Sequence, residues 1–81
     1  MTAGERPLTA ADVGAAVRSA RRHALMTQQR LADMSQVSRQ LVNRLEQGDA
    51  SITVRPALSV LKTLGLRLAV SGPPDPSDAQ P

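Results

Sequence analysis

Residues 27–48, TQQRLADMSQVSRQLVNRLEQG, carry two capped apolar repeats so close together that they demand two short helices joined by a tight turn. Thr27 has the side-chain oxygen preferred at a helix N-cap, and the helix it opens runs to about Met34. Leu31 and Ala32 fall on the inner face of that helix, and Ala32 is small enough to let a second helix cross closely. Val37 plugs the space between the two. Ser38 caps the second helix, in which Val42 and Leu45 repeat at helical spacing and face inward.

The outward face of the second helix holds Arg39, Gln40, Asn43 and Arg44. Their donor and acceptor edges match those of guanine and adenine in a major groove. Arg39 and Arg44 suit guanine O6 and N7, Gln40 suits adenine, and Asn43 suits a base edge or a phosphate. A hairpin that only had to bury its apolar residues has no use for such a face, so the combination points to DNA readout by a helix-turn-helix. Thr27, Gln28 and Ser38 stand at helix N-termini, where phosphate binds readily. Ser51 and Thr53, among the amides and hydroxyls that follow Gly48, are candidates for another phosphate.

Over roughly residues 9–64 the chain resembles the Xre/lambda-repressor-like helix-turn-helix regulators. The resemblance implies a mainly α domain of four to five helices, and it implies that Arg21 pairs with Glu46 to lock the recognition helix to the first helix. Removing one partner of a buried pair of this kind costs on the order of 3–5 kcal/mol. Glycine is usual in the family two residues before the Thr27 position and again in the turn, where this chain has Leu25 and Gln36. A positive φ costs a non-glycine residue of order 1 kcal/mol, so either the turns differ or the chain accepts strain. Beyond residue 64, Leu64-Gly65 is followed by the alternating LRLAV and a Pro-rich tail. That layout is similar to the HipB-type antitoxins, small repressors that pair with a HipA-type Ser/Thr kinase toxin.

Composition sets the limits. Eighty-one residues make one small domain whose core is marginal unless something else contributes, commonly oligomerisation. Phe, Tyr and Trp are absent, so aliphatic residues must build the core, which strengthens the case for a dimer. The same absence removes the stacking platforms that RNA and single-stranded DNA use. The chain has no cysteine, no run long enough to span a membrane and no signal-peptide order, and the expectation is a cytoplasmic protein. A net charge of +3 with a pI near 11.1 favours a polyanionic partner. Arginine supplies nearly all of the positive charge against the single Lys62, which suits bidentate contact with phosphate and guanine; a GC-rich coding bias would also yield arginines.

Residues 1–8 lack periodicity and read as a flexible N-terminus, residues 9–70 as the DNA-binding and dimerisation domain, and 71–81 as a disordered tail. Thr9 and Asp12 have the form of a capping box for a helix reaching about Ala24 and burying Val13, Ala16, Val17 and Ala20. Gly14 weakens that helix by about 1 kcal/mol relative to Ala; a close helix contact is one reason for it, though nothing in the sequence compels one. His23, the only histidine, lies near the helix end, where a cation meets the carbonyl dipole, and no metal or cofactor site is expected. Thr53 is the next N-cap, Pro56 falls in the first turn after it, and Val54, Leu58, Leu61 and Leu64 form the expected buried stripe before Gly65. Leu66, Leu68 and Val70 share one face of a short strand that lacks a partner within the chain, so it is expected to pair with a second copy across a two-fold axis.

These readings converge on a homodimeric repressor that binds double-stranded DNA at an inverted-repeat operator. The resemblance adds the role of antitoxin, repressing its own operon and binding a HipA-like kinase. The alternative is a stand-alone Xre-family or phage-type repressor with no toxin. No nucleophile–base or carboxylate pair suggests an enzyme.

Overall fold

The computed structural model describes residues 8–67, which form α1 (Ala10–His23), α2 (Gln28–Ser35), α3 (Arg39–Glu46) and α4 (Val54–Thr63). Helix α3 packs against both α1 and α2, and α4 packs against α2. Val17, Leu31, Ala32, Val42, Leu45, Val60 and Leu61 form the core, with Val13, Val37, Ile52, Ala57 and Leu64 packed around it. No strand occurs among the described residues; Leu68 and Val70 lie outside them.

Three of the four helices begin at a polar side chain that caps them. Thr9 Oγ1 accepts from the Asp12 amide at 3.1 Å while Asp12 Oδ2 accepts from the Thr9 amide at 3.0 Å, completing the capping box. Thr27 and Ser38 accept from the amides of Arg30 and Leu41, each at 3.0 Å. Thr53 occupies the N-cap position of α4 but makes no side-chain cap bond, so its hydroxyl is not used in capping as expected.

The helices also end alike. Leu25, Gln36, Gly48 and Gly65 each have positive φ, between 59° and 83°. At every one, the following amide reaches back to a carbonyl five residues earlier: Met26 to Arg21, Val37 to Ala32, Asp49 to Arg44 and Leu66 to Leu61. These are Schellman closures, which satisfy helix carbonyls otherwise left without donors. Two of the four use a residue with a Cβ, so the chain accepts strain and does not alter its turns. Leu66, expected in a strand, closes α4 by this bond and packs against the core of its own chain.

Two expectations about packing are corrected. Ala16 is exposed, because α1 turns Val13 and Val17 inward and leaves Ala16 to solvent, with Ala20 half-buried between. On α4 the buried stripe is Ala57, Val60, Leu61 and Leu64; Val54 is 70% and Leu58 46% exposed. The helix is therefore rotated from the expected face. A ring of hydroxyls fixes that rotation: Ser35 Oγ donates to Thr63 Oγ1 (2.8 Å), Thr63 Oγ1 to the Ser59 carbonyl (3.0 Å), and Ser59 Oγ to the Ser35 carbonyl (2.7 Å). At Gly14 the close helix contact is present. A Cβ there would overlap the Leu45 carbonyl oxygen and sit 2.9 Å from that of Glu46, so α1 can approach the end of α3 only at a glycine.

Gly14→Ala and Leu25→Gly should therefore act in opposite directions. Overpacking of about 1–3 kcal/mol should outweigh the ~1 kcal/mol gain in helix propensity, since rigid carbonyls cannot move aside. Leu25 is 93% exposed and loses no packing, so glycine should raise stability by about 0.5–1 kcal/mol. Thermal melts check both; a Gly14→Ala protein as stable as the parent would show that the helices are not in this contact.

Candidate nucleic-acid interface

Helix α3 presents Arg39, Gln40 and Arg44 to solvent and Asn43 at half exposure, while Val42 and Leu45 are buried behind them. The spacing of four between Arg39 and Asn43, and between Gln40 and Arg44, places them on one face one turn apart. Behind that face the helix is anchored at its C-terminal end. Arg21 Nε donates to Glu46 Oε2 at 2.6 Å and Nη2 to Oε1 at 3.0 Å, while Nη1 donates to the Met26 carbonyl at 2.9 Å. The two side chains are only 12% and 4% exposed. All three nitrogens of one guanidinium thus tie α1, the α1–α2 turn and α3 together.

The ionisation of this pair follows from its surroundings. The hydrogen bond to Glu46 raises the Arg21 pKa, against the opposing effect of burial. Burial would raise that of Glu46, but hydrogen bonds from Arg21 and Gln28, with the charges of Arg21 and Arg18, hold it below the ordinary carboxylate value. Gln28 Nε2 donates to Glu46 Oε1 at 3.2 Å, so one of its amide hydrogens serves the clasp and not an outside phosphate.

The remaining candidates differ in what they have free. Thr27 and Ser38 accept cap bonds, leaving each hydroxyl proton able to donate outward. Ser51 is engaged on both sides: its hydroxyl donates to Asp49 Oδ1 at 2.6 Å and accepts from Arg44 Nη2 at 3.0 Å. Arg44 Nε donates to Asp49 Oδ2 at 2.7 Å, so Arg44 is held by the loop after α3, whereas Arg39 has no such tether among the described residues. The hydroxyl and amide of Ser51, then Arg44, pull the Asp49 pKa down to about 2. Asp49 is charged throughout the neutral range.

Two arginines absent from the sequence-based set join the site. Arg18 and Arg22 line a cleft with Gln28, Asn43 and Gln47, beside the Arg21–Glu46 pair. Their spacing of four along α1 is a visible signal of a shared face. Because Glu46 neutralises Arg21, Arg18 and Arg22 carry the positive charge at this edge. Among the described residues no group of three His, Cys, Asp or Glu side chains can hold a metal ion, and no helix is long and apolar enough to cross a membrane.

The profile of the helix-turn-helix family matches residues 17–70. No curated protein matches the chain.

The Arg21–Glu46 pair should behave as a structural unit. Arg21→Ala and Glu46→Ala should each destabilise by roughly 3–5 kcal/mol, and the double replacement by less than their sum. Glu46 has a folded-state pKa below its unfolded value, so its contribution is present above the unfolded pKa and fades as pH falls through the folded one. Stability measured by denaturant titration should thus drop on acidification below about pH 5, less steeply in Glu46→Gln. Strict additivity of the single variants would show that the side chains do not meet.

Proposed function

The chain belongs to the helix-turn-helix family, whose members are DNA-binding transcription regulators, and from that premise we propose that it is a sequence-specific repressor reading a duplex with α3. The observation that carries this reading is the polar face of a helix whose apolar side is wholly committed to the core. Arg39 and Gln40 stand in its first turn, the part of a recognition helix that reaches base edges, with Asn43 one turn behind. Thr27, Ser38 and Thr53 contribute hydroxyls toward phosphate, and Gln28 its second amide hydrogen. Arg18 and Arg22 add charge where the flanking backbone would pass.

The repressor acts as a homodimer on an inverted repeat. This rests on the exposed apolar surface around Leu66, which borders one shallow groove with Leu58 and Leu61 and another with Ala16, Ala20 and Ala24. A core of aliphatic residues alone leaves such surface to be covered by association. Within that frame the antitoxin role, with a HipA-like kinase as partner, rests on the resemblance of the C-terminal layout. The stand-alone repressor keeps every DNA contact and lacks the kinase.

Arg39→Ala should lose about 1–3 kcal/mol on a duplex selected from a random pool and relax preference at one base pair, with an unchanged circular dichroism spectrum. Equal loss on selected and random duplexes would reassign Arg39 to phosphate. Sedimentation at micromolar concentration should give the mass of two chains, and removing residues 66–81, which takes away Leu66, should shift the protein toward single chains; a monomeric full-length chain, or a 66–81 deletion that dimerises as well as the parent, contradicts the dimer.

A further inference from the structure

Arg44 is tethered in a way that the other residues of the reading face are not. Asp49 and Ser51 together take the Nε–Nη2 side of its guanidinium, at 2.7 and 3.0 Å. The carboxylate that does so is itself immobilised. Asp49 Oδ1 accepts from both the amide (2.8 Å) and the hydroxyl (2.6 Å) of Ser51, and the Asp49 amide donates to the Arg44 carbonyl at 3.1 Å, closing α3. Yet the Arg44 side chain remains 51% exposed, and among the described residues no hydrogen bond occupies Nη1.

A guanidinium has two edges able to form a paired hydrogen bond, and here the lateral one is consumed inside the protein. The terminal Nη1–Nη2 edge is the one left over. It is the edge that can fork onto guanine O6 and N7. A carboxylate bound to the opposite edge also offsets part of the charge that would draw Arg44 to a phosphate within reach.

The geometry points to Asp49 as a specificity-determining positioning residue, which holds Arg44 with its terminal edge outward for one guanine and withholds it from stray phosphates. This rests on the reading of α3 as the recognition helix. A free arginine gains from every phosphate along a duplex. One clamped by Asp49 gains chiefly where a guanine meets its fixed edge, so discrimination arises from a residue that itself touches no base.

The test is selection of preferred sites from a random-sequence duplex pool by the parent, Asp49→Asn, Arg44→Lys and Arg44→Ala, followed by affinity measurements against salt. In Asp49→Asn the amide oxygen can still accept from Ser51, so the loop survives, which thermal melts verify. The parent should require guanine at one position of each half-site, by roughly five- to hundredfold over other bases. Asp49→Asn should lose most of that preference while its random-duplex affinity rises and its salt slope steepens by about 0.9, the value for one added phosphate contact. Arg44→Lys should weaken the preference, since an ammonium on a flexible stem has no separate lateral edge for Asp49 to hold while another faces guanine. In the Arg44→Ala background, Asp49→Asn should change nothing at that position. Retention of the guanine preference by Asp49→Asn overturns the inference, as does a random-duplex gain that persists without Arg44. A parent that selects a site in which Arg44 has no role defeats this inference alone; a parent that selects no site defeats the reading of α3 as well.

Discussion

The rest of the domain depends on the clasp of Arg21 and Glu46. One guanidinium spends all of its nitrogens on holding three segments: α3 through Glu46, the α1–α2 turn through the Met26 carbonyl, and α1 through its own backbone. Gln28 brings α2 into the same cluster. A pair this buried need not add net stability, because desolvation offsets much of the attraction. Its effect is on geometry. The exposed side of α3 can read a rigid duplex only if the helix cannot roll, and the clasp, with the carbonyls of Leu45 and Glu46 lying on Gly14, removes that freedom.

Short helices make such devices necessary. α2 and α3 have eight residues each, too few to be stable alone, and the core contains no aromatic side chain. Their ends therefore carry unusual weight. Capped starts and Schellman closures satisfy backbone groups that a longer helix would bond internally, and the hydroxyl ring of Ser35, Ser59 and Thr63 seats α4 on α2. The strain at Leu25 and Gln36 is the opposing term, of order 1–2 kcal/mol for each left-handed residue. It persists because the closures around it are set by the packing of α1 and α2.

What the sequence discloses is whatever repeats or caps. Thr9, Thr27 and Ser38 mark helix starts, and the inward positions of α2 and α3 follow from spacing. The α4 face is not legible in this way because two apolar stripes overlap on that helix. Val54 and Leu58 form one, Ala57, Val60 and Leu61 the other, and periodicity cannot choose between them. The choice lies in hydroxyl bonds to a helix about two dozen residues away in the chain. Gly14 is opaque for a related reason: its neighbours are backbone carbonyls, which leave no trace in residue type. The tether on Arg44 spans the end of α3, where helical spacing no longer predicts which side chains meet. Arg18 and Arg22 are legible as a pair, but their place beside Asn43 depends on how α1 crosses α3.

On this reading the clasped α3 offers its polar face to a DNA groove. Amide and guanidinium NMR resonances of the ¹⁵N-labelled protein, followed during titration with a selected duplex, test it most directly. The largest shifts should fall on Thr27, Gln28 and Ser38 to Arg44, with the Arg39 side chain among them, while Leu58 and Leu66 are spared. Shifts centred on Leu58 and Leu66, with α3 unmoved, would contradict it.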